Sequence, residues 1–187
     1  AQETAIGTGG SADTLGNIGN IGGVVGYLYT GSGQTAQIKN SANRGHVHSV
    51  YADKEDADNT PETAQTTNVG GVVGKVDTSK SSMADIKADA DSFYTNKATV
   101  SNSYNTGNVA GYTGVGGVAG QMVKGSVAGS YNLGTVSSSR AANEQSREQL
   151  NMGGVVGDTL TFSNGDGTVI YDVYNAGQIG DDSYTYY

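Results

Sequence analysis

The stretch Ile21-Gly22-Gly23-Val24-Val25-Gly26 decides the fold because it returns. It recurs as Val69-Gly70-Gly71-Val72-Val73-Gly74, as Val115-Gly116-Gly117-Val118-Ala119-Gly120, and as Met152-Gly153-Gly154-Val155-Val156-Gly157. The boxes stand 70 − 22 = 48, 116 − 70 = 46 and 153 − 116 = 37 residues apart. Self-similarity at a period of about 20–50 residues marks a chain of stacked supersecondary units rather than one closed core. A phosphate-binding glycine loop would lead into a helix and a lysine, and it would not need four copies.

A second motif follows each box. It reads Ile38-Lys39-Asn40-Ser41-Ala42-Asn43-Arg44-Gly45-His46-Val47 in the first unit and Val100-Ser101-Asn102-Ser103-Tyr104-Asn105-Thr106-Gly107-Asn108-Val109 in the second. The third and fourth are Val127-Ala128-Gly129-Ser130-Tyr131-Asn132-Leu133-Gly134-Thr135-Val136 and Ile170-Tyr171-Asp172-Val173-Tyr174-Asn175-Ala176-Gly177-Gln178-Ile179. Thr14-Leu15-Gly16-Asn17-Ile18 reads as the tail of a fifth, degenerate unit.

Each segment is a short β-branched or aromatic run bounded by Gly or Asn, which is strand character. None has the length and 3.6-residue period of an amphipathic helix. These features predict an all-β chain: a right-handed parallel β-helix (β-solenoid) of four to five coils, with three short strands per coil. The hand follows the rule for parallel crossovers. The whole chain is one solenoid segment, with repeats at 20–68, 69–114, 115–151 and 152–187.

Stacking coils about 4.8 Å apart puts equivalent residues in ladders. Val24, Val72, Val118 and Val155 form one ladder; Ile38, Val100, Val127 and Ile170, and also Val47, Val109, Val136 and Ile179, line the core. Asn43, Asn105, Asn132 and Asn175 form an amide ladder at a turn, and Ala42, Tyr104, Tyr131 and Tyr174 an aromatic one. The paired glycines Gly22 and Gly23, Gly70 and Gly71, Gly116 and Gly117, and Gly153 and Gly154 serve a sharp bend or a close backbone approach. Asn-x-Gly tolerates positive φ, which places a left-handed corner there.

Three insertions interrupt the coils, at 48–67, 76–97 and 137–150. The first is acidic, with Asp53, Glu55, Asp56 and Asp58 as candidate ligand-binding residues; the third holds a helix-favouring run over 140–149. The first and third leave the same coil position two repeats apart, so they emerge on one edge. Asp53 to Asn59 and Asn164-Gly165-Asp166-Gly167 resemble fragments of calcium loops without matching the full pattern, which leaves weak calcium binding as an alternative to plain solvated carboxylates. His46 and His48, the only histidines, share one strand face in a variable slot, and no metal site is assigned to them. Tyr104, Tyr131 and Tyr174 are the remaining ligand-binding candidates, because exposed aromatic rows bind sugars and proteins; ladder stability is the competing role.

Composition narrows the function classes. Glycine is 30 of 187 residues, about 16% against a usual share of roughly 7%. One proline and no three-residue glycine period exclude collagen. A net charge of −8 disfavours nucleic acid and anionic membrane as partners. No cysteine is present, which removes disulfides, thiolate catalysis and Cys-type zinc sites. No apolar run approaches the ~18 residues of a membrane-crossing helix, so membrane insertion is not expected. No catalytic signature is present, and the coil positions carry almost no acids for a glycosidase pair. The expectation is a non-enzymatic protein with no cofactor.

At these two motifs the sequence resembles the GLUG-type repeat, whose pattern is close to G-G-L-V-G … I-x-N-S-Y-A-T-G-x-V. Here Val stands for the Leu, and Asn for the Ala after Tyr. The resemblance spans most of 15–180 apart from the insertions. That family occurs in large secreted bacterial surface proteins: filamentous-haemagglutinin-like adhesins, autotransporter-type virulence proteins and the non-catalytic repeats of immunoglobulin A peptidases. It implies a secreted, cell-surface location (outer membrane or cell wall) and an adhesin module attaching to host glycan or to a host surface or matrix protein. Neighbouring repeats of the same chain are further implied partners. A passive stalk or spacer of a large surface protein or peptidase stays open as an alternative, and so does a solenoid polysaccharide hydrolase or lyase.

Overall fold

A computed structural model describes residues 19–30, 35–49, 68–78, 98–111, 113–138, 151–160 and 168–180. The first coil comprises β1 (Ile21–Gly22), β2 (Val25–Thr30), β3 (Ala36–Lys39), β4 (Ala42–Asn43) and β5 (Val47–His48); the second, β6 (Asn68–Gly70), β7 (Val73–Thr78), β8 (Ala98–Ser101), β9 (Tyr104–Asn105) and β10 (Val109–Gly111). The third contains β11 (Gly114–Gly116), β12 (Ala119–Met122), β13 (Gly125–Ala128), β14 (Tyr131–Asn132) and β15 (Val136–Ser138). The fourth contains β16 (Asn151–Gly153), β17 (Val156–Thr159), β18 (Thr168–Tyr171) and β19 (Tyr174–Asn175), closed by a bridge from Ile179 to Val136.

Each strand pairs in parallel with its equivalent one coil on, giving the sheets β1-β6-β11-β16, β2-β7-β12-β17, β3-β8-β13-β18, β4-β9-β14-β19 and β5-β10-β15. The chain is therefore a parallel β-solenoid, all strand among the described residues. Coils have five strands where the sequence predicts three. The difference is local: Gly-Gly-Val divides the first motif into two strands, and the second is cut once at a left-handed residue and again before its final valine. The helix expected over 140–149, the fifth unit at 14–18 and the calcium-like stretches at 53–59 and 164–167 lie outside the described residues.

The register is the one the motif alignment implies. Ile38 pairs with Val100, Val100 with Val127, and Val127 with Ile170. Val24, Val72, Val118 and Val155 are joined by backbone bonds of 2.8–3.0 Å. Two apolar clusters result. One gathers Leu28, Ile38, Val72, Val76, Val100, Val118, Met122 and Val127; the other gathers Val47, Val69, Val109, Val115 and Val136. The clusters meet in sequence at the glycine pair, for instance between Val69 and Val72 across Gly70 and Gly71. Burial is complete in the middle coils and falls off at the ends: Ile38 in the first coil is 5% exposed but Val24 there reaches 43%, and in the fourth Ile170 and the Val136 partner Ile179 reach 41% and 46%.

The amide ladder supplies the polar seam of this interior. Asn43, Asn105 and Asn132 each donate from Nδ2 to the Oδ1 of the next rung at 2.7 Å, ending on Asn175. The same Nδ2 donates to the carbonyl two residues on, and Oδ1 accepts from that residue's N–H: Asn105 with Gly107, Asn132 with Gly134. Asn105 and Asn132 are fully buried, and these bonds use two donors and two acceptor sites in each. A chain of charge-free, fully satisfied amides can sit inside a core where a half-satisfied one could not.

The glycine box and the amide ladder are one construction. A Cβ on the second glycine of each box (Gly23, Gly71, Gly117, Gly154) would fall inside the side chain of that coil's Asn43, Asn105, Asn132 or Asn175. A Cβ on the first (Gly22, Gly70, Gly116, Gly153) would meet the carbonyl three residues on, which curls back across the bend. The left-handed corner, however, is not at Asn-x-Gly. It sits three residues earlier, at Asn40 (φ 53°), Asn102 (48°), Gly129 (53°) and Asp172 (51°). There Asn and Asp accept αL because their short polar side chains bond locally. Gly107, Gly134 and Gly177 are instead glycine because each lies against the Gly45, Gly107 or Gly134 carbonyl of the preceding coil.

Candidate binding surfaces

Connections within the coil fall into two kinds. Three corners keep a fixed length: two residues between β1 and β2 and their equivalents, two between β3 and β4, three between β4 and β5. The other two vary. The corner after β5, β10 and β15 holds 49–67, 112–113 and 139–150; the corner after β2, β7, β12 and β17 holds 31–35, 79–97, 123–124 and 160–167. Registers of Val47 with Val109 and of Val109 with Val136 put the exits of the first and third insertions on one edge, two rungs apart. The candidate residues Asp53, Glu55, Asp56 and Asp58 lie outside the described residues.

The tyrosine ladder forms at β4, β9, β14 and β19. Tyr104 and Tyr131 stack with centroids 5.0 Å apart and planes 3° from parallel; Tyr131 and Tyr174 stack at 5.0 Å and 10°. Ala42 takes the first rung. Arg44 donates from Nη2 to the Tyr104 hydroxyl oxygen at 2.9 Å, a contact that raises the guanidinium pKa and so favours its charged form. Face-to-face stacking decides what this row can offer. Tyr131 has both ring faces covered by its neighbours, so the row shows edges and hydroxyls to solvent. The outer ring faces lie at the two ends of the row, on Tyr104 toward Ala42 and on Tyr174.

Sequence reasoning missed a second aromatic pair. β2 alternates outward Tyr27 and Tyr29 with inward Leu28 and Thr30. Tyr27 and Tyr29 are 44% and 51% exposed, with centroids 5.7 Å apart and planes tilted by 43°. In the neighbouring coil Lys75 pairs with Tyr27 and Asp77 with Tyr29. The Tyr27 hydroxyl donates to Asp77 Oδ2 at 3.1 Å, and Lys75 Nζ lies 5.6 Å from the Tyr27 ring centroid. Partial burial, then the Asp77 charge and the bond to it, push the Tyr27 pKa up to about 12, so the phenol stays neutral in ordinary conditions. The available signal was Tyr-Leu-Tyr following the first box, where later coils carry Lys-Val-Asp and Gln-Met-Val.

Further along that sheet Gln121 donates to Asp158 Oδ2 at 2.9 Å, while Asn68 donates to Asn20 Oδ1 at 2.8 Å and to Gln121 Oε1 at 3.3 Å. The side chains of four coils are thus tied together by this partly buried row as well as by the inner ladder. His46 and His48 flank buried Val47 on the exposed face of β5, and His46 Nδ1 accepts from the Asn108 N–H at 3.3 Å. Among the described residues no three metal-ligating side chains converge. Their carboxylates are Asp77, Asp158 and Asp172, of which the first two already accept from Tyr27 and Gln121.

No family model, no curated protein and no solved structure matches this chain.

Proposed function

We propose that the chain is a non-enzymatic attachment module of a secreted bacterial surface protein, a rigid β-solenoid that holds variable segments toward a host glycan or host surface protein. The observation that supports it most is the division of the corners. Three are fixed in length in every coil, and length variation is confined to the two that carry 49–67, 79–97 and 139–150. Loops tolerate insertion and carry function when a rigid scaffold positions them. Here the scaffold's own polar groups are spent on one another along the amide ladder. The resemblance of the paired motifs to the GLUG-type repeat supports the surface location and the adhesin reading.

The test is deletion of 50–66, singly and together with 79–97 and 139–150, in the intact protein. Removing the first segment leaves far-UV CD and melting temperature close to the parent and lowers attachment to host cells or matrix protein. Unchanged attachment after all three deletions overturns the attachment role and leaves the spacer reading.

A further inference from the structure

The aromatic pair on β2 is not required by the repeat. The tyrosines of the stacked ladder recur coil after coil, as scaffold residues do, and bury their faces in each other. Tyr27 and Tyr29 occur in one coil, at outward slots filled elsewhere by Lys75, Gln121 and Asp158 in the one case and Asp77 in the other. They contribute nothing to either apolar cluster, which takes Leu28 from between them. A solvent-facing pair of large rings outside both apolar clusters of the described residues is a surface suited to binding.

We propose that Tyr27 and Tyr29, with Lys75 and Asp77, form a stacking site for a neutral saccharide. The two rings touch at a tilt of 43° and make one bent aromatic surface, and a sugar presents the matching one: an apolar C–H face with a rim of hydroxyls. Tyr29 supplies the open ring, the second carboxylate oxygen of Asp77, Oδ1, an acceptor, and Lys75 Nζ a donor. One anion and one cation side by side leave the site without net charge, and the chain carries −8 overall, so sialylated and sulfated glycans are disfavoured. The platform is held in advance by the Tyr27–Asp77 bond and by the buried Leu28 beneath it, which lowers the ordering cost of binding. This goes beyond the attachment role of the insertions, because it lies on the scaffold.

The experiment is a printed array of neutral hexose- and N-acetylhexosamine-terminated oligosaccharides beside sialylated and sulfated ones, with hits measured by titration. Parent protein binds neutral glycans. Tyr27→Ala and Tyr29→Ala each weaken binding roughly tenfold, Tyr174→Ala leaves it unchanged, and all three keep the parent far-UV CD spectrum at the assay temperature. If Tyr27→Ala disturbs the sheet by freeing Asp77, Tyr29→Ala alone decides. No neutral-glycan signal, a signal only on acidic glycans, or unchanged binding by folded Tyr29→Ala overturns the proposal. The protein lacking 50–66 separates the two readings: neutral-glycan binding that survives there supports the sheet site whatever happens to attachment, and its loss places the glycan on the insertion instead.

Discussion

Replacing Asn132 with Ala tests the amide ladder at its most demanding rung. Asn132 is fully buried, accepts from Asn105 Nδ2 at 2.7 Å and from the Gly134 N–H at 3.1 Å, and donates to the Gly134 carbonyl and to Asn175 Oδ1, both at 2.7 Å. Truncation orphans two buried donors, one hydrogen of Asn105 Nδ2 and the Gly134 N–H. It also takes a partner from two acceptors, of which Asn175 Oδ1 keeps the Gly177 N–H. At about 1–3 kcal/mol for each of the two orphaned donors, the loss is roughly 2–6 kcal/mol, a large part of the ~5–15 kcal/mol available to a domain. Asn175→Ala removes the same side chain from the same ladder in the more open fourth coil, where water replaces the lost partners, and costs about 1–2 kcal/mol. Urea unfolding followed by far-UV CD compares the two. Asn132→Asp sharpens the test, since it sets oxygens against the Gly134 carbonyl and Asn175 Oδ1. Its carboxyl must have a folded pKa above the unfolded value, so this variant is most stable at acid pH and weakens as pH rises. Costs for Asn132→Ala and Asn175→Ala that agree within ~0.5 kcal/mol would refute the account of a sealed, mutually satisfied seam.

Other positions give independent checks. Gly117→Ala should cost upward of about 3 kcal/mol, and adding Asn132→Ala should not rescue it, because the Gly154 carbonyl of the next coil occupies the same space; thermal melts of single and double variants decide. Ile38→Val should cost about 1 kcal/mol and Ile170→Val less than half of that, since one ladder station is 5% exposed and the other 41%. Thr30 Oγ1 is buried without a hydrogen-bond partner, so Thr30→Val should stabilise by about 1 kcal/mol and raise Tm by roughly 2–4 °C. The Tyr27 phenol is neutral to higher pH when folded than when unfolded. Its contribution is therefore intact below about pH 10 and falls as pH rises toward about 12; Tyr27→Phe should flatten that part of the stability profile relative to the parent.

The register was legible because it depends on alignment of repeats alone: once Val24 is placed against Val72 and Val118, every ladder follows. Strand boundaries were not, because they depend on single backbone angles. The left-handed residue was expected at Asn-x-Gly, where both residue types tolerate positive φ. The chain puts it at Asn40, Asn102, Gly129 and Asp172, and the mixture of Asn, Gly and Asp at that slot was the readable sign. Asn43 and its mates were legible as an amide ladder at a turn, and they form it; their burial was not legible. They lie inside because a row of amides in register can satisfy itself along the stack, a property of four coils that no single motif displays. Tyr27 and Tyr29 escaped notice for the opposite reason, since they break the repeat and a search for recurrence passes over them.

That contrast separates scaffold from function in this molecule. A residue type that recurs at one ladder station is constrained by the rungs above and below it: the tyrosine stack, the amide seam and the box glycines each need their neighbours to match. Such positions cannot vary singly without the costs reckoned above, so they are poor places to adapt to a ligand. Freedom remains where the ladder makes no demand, at the two corners of variable length and at outward-facing strand slots. The slot of Tyr27 runs through tyrosine, lysine, glutamine and aspartate in four successive coils. It is thus free to vary at little cost to the fold, and recognition should reside there and in the insertions rather than in the glycine boxes that define the architecture.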